Sequence, residues 1–165
     1  MPVSTIQNAS LASGVPSAAK LPAGSVLQVV QATRNSALSY TTLYATYTSF
    51  VSGSITTTVA NSKILVLCNV PVYQIGNGSN WSTSQYYQLL DGGLLAQQYE
   101  HAGPLAGTES AFQWQFQHLT ASKAVGTYTF SMQGAITGGS GTVTIARNVG
   151  GNQSIVSLIM MEIAA

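Results

Sequence analysis

Apolar and polar residues alternate with period two along much of this chain. Between Phe112 and Leu119, Phe112, Trp114 and Phe116 share one parity, and Gln113, Gln115 and Gln117 share the other. From Thr127 to Gln133, Tyr128, Phe130 and Met132 oppose Thr127, Thr129, Ser131 and Gln133. Successive side chains of a strand point to opposite faces, so this pattern predicts half-buried antiparallel strands. Two other stretches are apolar on both parities. The last stretch, Ser154 to Ala165, carries Ile155, Ile159, Met161 and Ile163 on odd positions and Val156, Leu158 and Met160 on even ones. The early stretch, Ser25 to Ala32, sets Leu27 and Val29 against Val26 and Val30. A strand of a free-standing sandwich is apolar inward and polar outward. These two are therefore expected to pair within one sheet whose outer face is closed by another copy of the chain.

The rest of the chain reads as strands and turns. The first strand ends near Arg34, and Asn35-Ser36 makes a turn. Leu38 to Val51 is rich in Tyr and Thr, both strand formers, and reads as a strand or as a long loop displaying tyrosines. Ser52-Gly53 leads into a short alternating run, Ser54 to Ala60, and Asn61-Ser62 turns the chain again. Lys63 to Val70 predicts a central strand, and Pro71 after it predicts a bend or an exposed edge. Asp91-Gly92-Gly93 lies between two apolar runs, a hairpin signal because such a turn needs positive φ. Ile75 to Ser84 and His101 to Ser110 read as loops, and Gly138 to Gly141 and Asn148 to Asn152 as turns around a short strand, Thr142 to Arg147.

About eight or nine short strands with turns between them and no convincing helix predict an all-β protein, an antiparallel β-sandwich. The greasiest strands come first and last, which points to a jelly-roll-like closure. Residues 1–23 have no period and are broken by Pro2, Gly14, Pro16 and Pro22. Their apolar residues, Val3, Ile6, Leu11, Val15 and Leu21, are spread singly. A tail that stays solvated carries more charge than this, so residues 1–23 are expected to form an extended arm on another subunit, ahead of a sandwich over 24–165.

Composition sharpens this picture. Charged residues make up 5% of the 165 residues, against roughly a quarter in an ordinary soluble domain. The surface must therefore be built from Ser, Thr, Asn, Gln and Gly. The five basic residues, Lys20, Arg34, Lys63, Lys123 and Arg147, are scattered, so no phosphate backbone is expected as a partner. A chain with a net charge of +1 has little electrostatic protection against self-association. The single cysteine, Cys68, lies in an apolar run and reads as a buried thiol. No basic segment followed by an apolar core opens the chain, and no apolar run approaches the ~20 residues of a spanning helix, so neither a secretory leader nor a membrane is expected.

Candidate chemistry is sparse. No H-E-x-x-H, G-x-S-x-G or phosphate-binding glycine loop occurs. Glu100 and Glu109 share a loop and offer the only pair of carboxylates for glycoside chemistry, without a pattern around them. His101 and His118 with Glu109 form the only candidate metal cluster, but His118 continues the Phe112-Trp114-Phe116 face, where a packed histidine is the simpler use. No enzymatic activity and no cofactor or metal are expected. Tyr40, Tyr44, Trp81 and Tyr86 are the candidates for stacking on sugar rings; core and interface packing is the competing use of such residues.

Four stretches resemble one family. They are K-L-P-A-G-S-V-L-Q-V-V-Q-A (Lys20 to Ala32), S-K-I-L-V-L (Ser62 to Leu67), S-G-T-V-T-I-A-R (Ser140 to Arg147) and the terminal S-I-V-S-L-I-M-M-E-I-A-A. The family is that of small β-sandwich modules in bacteriophage structural proteins, especially phages of cyanobacteria and other aquatic bacteria. The middle of the chain matches loosely, and Leu38 to Phe50 has little in common with it. The resemblance implies a homotrimer, either a capsid decoration (cement) protein or the distal module of a tail fibre or tailspike. A chain of this length, with room for an arm and one sandwich, fits the first role better. The expectation is then a virion protein on the outer capsid surface, bound to the major capsid protein. Val26, Val30, Val156, Leu158, Ile159, Met160 and Met161 are the expected trimer interface, and the arm residues Val3, Ile6, Leu11, Val15 and Leu21 the expected capsid contacts. A fibre tip binding host glycans through tyrosine and tryptophan loops is the alternative.

Overall fold

The computed structural model describes residues 21–40, 47–76, 83–102, 109–138, 141–149 and 152–165. Among the described residues run twelve strands and no helix: β1 (Val26–Arg34), β2 (Leu38–Tyr40), β3 (Thr48–Thr57), β4 (Lys63–Gly76), β5 (Thr83–Leu90), β6 (Leu94–Ala102), β7 (Glu109–Leu119), β8 (Gly126–Gly138), β9 (Gly141–Ile145), β10 (Asn148–Val149), β11 (Asn152–Gln153) and β12 (Val156–Ile163). They form two antiparallel sheets packed as a β-sandwich, with β10 and β11 as a separate small hairpin.

The long strand β4 organises the first sheet. It pairs with β7 along one edge, and along the other with β12 and then β9, beyond which lie β1 and β2. The second sheet has the order β3-β8-β5-β6. The chain passes between the sheets at β3, β4, β5, β7, β8 and β9, so that β1-β12-β4-β7 faces β3-β8-β5-β6. The first and last strands pair antiparallel from Val26–Ile163 to Arg34–Val156, as their shared apolar character led us to expect.

Pro71 sits neither at a bend nor at an edge. It pairs with Gln113 of β7, and its carbonyl accepts from the Ala146 N–H at 3.4 Å. β12 leaves β4 at Asn69 and β9 joins at Val72, so the missing proline N–H falls in the seam between two partners, where no ladder bond is lost. β3 runs without a break through Ser52-Gly53 into the alternating run after it. A Cβ on Gly53 would lie 2.7 Å from Met160 Cε and 2.8 Å from Ala32 Cβ, so the glycine lets the sheets approach closely there. The Asp91-Gly92 hairpin joins β5 to β6 with Gly92 at φ 68°, and Asn61 turns the chain at φ 66°.

The core fills the space between the sheets. Phe50, Ile55, Tyr87, Leu89, Phe130, Met132 and Ile136 from one side meet Ile64, Val66, Val70, Val143, Ile145, Val156, Leu158 and Met160 from the other, all essentially inaccessible. An aromatic run crosses it: Phe50 to Tyr87 at 6.0 Å, Tyr87 to Trp114 at 5.3 Å, Trp114 to Phe116 at 5.4 Å between ring centres. Cys68 is buried, and loss of solvation pushes its thiol up to about 12 against a weaker opposing backbone hydrogen bond at Asn69.

One carboxylate lies inside. Glu162, fully buried on the inner side of β12, accepts five hydrogen bonds. They come from the Thr58 N–H (2.8 Å), the Val59 N–H (3.1 Å), the Ser62 hydroxyl (2.9 Å), the Thr58 hydroxyl (3.0 Å) and the Gln28 amide (2.6 Å). Burial pushes this carboxyl up, but the hydrogen bonds from Gln28, Val59, Thr58 and Ser62 outweigh it and hold the group below the usual carboxylate range. Glu162 thus ties the last strand to β1 and to the turn between β3 and β4. That turn is bridged in turn to Lys123, whose ammonium pairs with Asp91 at 2.6 Å.

Candidate assembly face

The outer faces of the two sheets differ in chemistry. On the second sheet, outward residues pair across strands through polar groups: Ser54 with Thr129 at 2.7 Å, Thr56 with Thr127 at 2.8 Å, Gln88 with Gln133 at 3.1 Å. Each pair is in register, so β3, β8 and β5 present paired polar groups to solvent on this face.

The first sheet has no such pairs at one end. Its register aligns Val29, Met161, Leu65 and Leu119 in one row across β1, β12, β4 and β7. The row before it holds Val26, Ile163 and the exposed Lys63, and the row after it Gln31, Ile159, Leu67 and Gln117. Val26, Val29 and Leu119 are half or more exposed, at 50%, 57% and 51%. Leu65, Leu67, Ile159, Met161 and Ile163 are half-buried by their neighbours alone. An apolar patch running unbroken over four strands is the signature of an interaction site.

The apolar character stops along the strand direction. The next row is Thr33, Ser157, Asn69 and Gln115, and beyond it come Pro71 with Gln113 and Tyr73 with Ala111. Two adjoining grooves run along this end. One, of about 440 Å³, is bordered by Leu67, Asn69, Gln115, Gln117, Ser157 and Ile159. The other, of about 470 Å³, is bordered by Pro71, Tyr73, Gln113, Arg147 and Ser154, with the Arg147 guanidinium 3.7 Å from the centre of the Tyr73 ring.

The structure divides the seven residues expected at the trimer interface. Val26, Ile159 and Met161 lie on the outer face. Val156, Leu158 and Met160 are completely buried between the sheets, and Val30 packs against the same core, so these four face the chain's own interior. The reason is parity. Even positions of β12 point inward, and a register shift between Val26 and Gln28 puts Val26 and Val29 on one face. Sequence reasoning missed Val29, Leu65, Leu67, Leu119 and Ile163; the signal for four of them was the second apolar parity of β1, β4 and β12, while Leu119 ends the glutamine parity of β7 and gave none.

Of the expected arm residues, Leu21 is exposed, while Val3, Ile6, Leu11 and Val15 lie outside the described residues. Among the glycan candidates, Tyr44 and Trp81 also lie outside them, and Tyr40 falls in β2. Tyr86 sits on the outer face of the second sheet, packed on Tyr99 at 5.0 Å between ring centres. His118 pairs with Val66 on the inward parity of β7, beside Phe116. Among the described residues no three His, Cys, Asp or Glu side chains gather as metal ligands.

No family model matches the chain, and no curated protein matches it. Solved structures similar to it include infectious bursal disease virus Gt strain, at 14% identity and a TM-score of 0.39, over 84% of this chain and 38% of that one. A subviral particle of the same virus gives 14% and 0.37, over 84% and 37%. An arabinose-bound α-L-arabinofuranosidase gives 15% and 0.40, over 87% and 24%. The chain thus spans 24–38% of the length of these structures. Likeness at TM-scores below 0.5 spans capsid proteins and an enzyme alike, and bears on neither function nor assembly.

Proposed function

We propose that this protein is a virion structural protein that forms a homotrimer through the apolar end of its first sheet and decorates the outer surface of a bacteriophage capsid. The observation that carries self-association is the unbroken apolar row Val29, Met161, Leu65, Leu119 on one sheet, set against the cross-strand polar pairs on the outer face of the other. The trimeric, virion-bound context is supported by the resemblance of the terminal strands to phage modules and by a charge content too low for a well-solvated monomer. In this reading the protein acts by binding rather than by catalysis. Three apolar ends meet around a threefold axis, and many weak contacts to major capsid protein add through avidity.

Two measurements test this. Sedimentation of the protein should give a trimer, and Met161→Glu should give a folded monomer, since Met161 points outward and its loss leaves the core intact. A wild-type monomer at micromolar concentration, or a Met161→Glu variant that stays trimeric, would overturn the assembly. Quantitative gel analysis of virions should find hundreds of copies per particle; a handful of copies would favour a fibre tip instead.

A further inference from the structure

The polar end of the same sheet face has a different character from the assembly end, and we infer that its furrow binds a neutral oligosaccharide. The two grooves adjoin along β4 and β7, and the four rows from Leu67–Gln117 to Tyr73–Ala111 span about 20 Å, the length of a short sugar chain. Gln113, Gln115 and Gln117 stand exposed along one wall at every second residue. Each offers an amide with donors and an acceptor side by side, the arrangement that pairs with neighbouring sugar hydroxyls.

The floor supplies the other half of sugar recognition. Leu67, Pro71 and Tyr73 present aliphatic and aromatic surface for the C–H faces of pyranose rings. Between them lies Asn69, whose side-chain oxygen is buried without a hydrogen-bond partner among the described residues, so a sugar hydroxyl meets it only when the side chain turns outward. Among the described residues the two linings together include a single charged side chain, Arg147, in the second groove. A polyanion needs several cations to replace its counterions, so the lining selects an uncharged chain. The furrow shares its first row, Ile159, Leu67 and Gln117, with the apolar end, and its remaining three rows stay open if the subunit contact stops at that row.

A neutral glycan array, followed by titration of its best neutral tetrasaccharide and of a heparin tetrasaccharide, tests the inference on the full chain. The expected result is binding of the neutral sugar, with heparin weaker. Gln115→Ala and Tyr73→Ala should each weaken it about ten-fold or more, while Gln97→Ala on the other sheet leaves it unchanged. Sedimentation of the same variants should show the wild-type oligomer. No neutral glycan retained on the array, heparin preferred, or Gln115→Ala binding as wild type would each overturn the inference. So would dissociation of the Gln115→Ala oligomer, which would place the furrow inside the subunit contact. Failure of the trimer itself would leave sugar binding by the monomer intact, so the two proposals fail separately.

Discussion

Glu162→Gln is the sharpest probe of how this sandwich is held closed. The glutamine keeps one oxygen for the Thr58 and Val59 N–H groups and the Ser62 hydroxyl. Its new amide nitrogen replaces the oxygen that accepted from Gln28 and the Thr58 hydroxyl. The hydroxyl can turn and accept. The Gln28 amide can do so only by flipping, which breaks its 2.5 Å hydrogen bond to the Thr56 carbonyl. One hydrogen bond is lost and four fall from charged to neutral strength, each fall costing about 1 kcal/mol. Relief of the buried charge offsets part of this, so the expected net loss is about 2 kcal/mol.

The pH dependence follows from the direction of the shift. A carboxyl whose pKa is lower folded than unfolded stabilises the protein fully above its unfolded value, about 4.3, and that stability is lost as pH falls through the folded value. The gap between wild type and Glu162→Gln should therefore be widest above the unfolded value and should narrow as pH falls below it. Urea unfolding followed by tryptophan fluorescence at matched protein concentration reads this, with Trp114 buried in the core as reporter. A variant as stable as wild type at pH 7, or a gap constant from pH 7 to 3, would refute the clasp.

Three further outcomes are expected. Met160→Glu should unfold the protein while Met161→Glu leaves it folded, because adjacent residues of β12 face opposite sides; circular dichroism separates them, and equal damage would contradict the parity. Gly53→Ala should cost about 1–3 kcal/mol through collision with Ala32 and Met160, and Ala32→Gly in the same chain should restore part of it in thermal melts. At pH 8 Cys68 should resist a thiol reagent until denaturant unfolds the chain, since its thiol is buried and titrates near 12; labelling of the native protein within minutes would exclude this.

Much of the strand framework was legible in the chain itself. The alternations in Phe112 to Leu119 and Thr127 to Gln133 became β7 and β8, Asp91-Gly92 became a hairpin, and the two doubly apolar ribbons became neighbours. These features depend on local chemistry: period two, positive φ at a turn, and the scarcity of polar residues in β1 and β12. Which parity faces inward is not local. Met160 and Met161 are chemically identical, and only the second sheet, arriving with Phe50, Phe130 and Met132, makes one core and the other surface. The same is true of Glu162, which as a residue in an apolar strand gave no sign of its partners. Its donors come from positions a hundred or more residues away, brought to it when the last strand closes against the first. Sequence alone determined that two ribbons need cover on both faces; the tertiary structure decided which face the chain covers itself, because that choice depends on contacts between strands far apart in sequence.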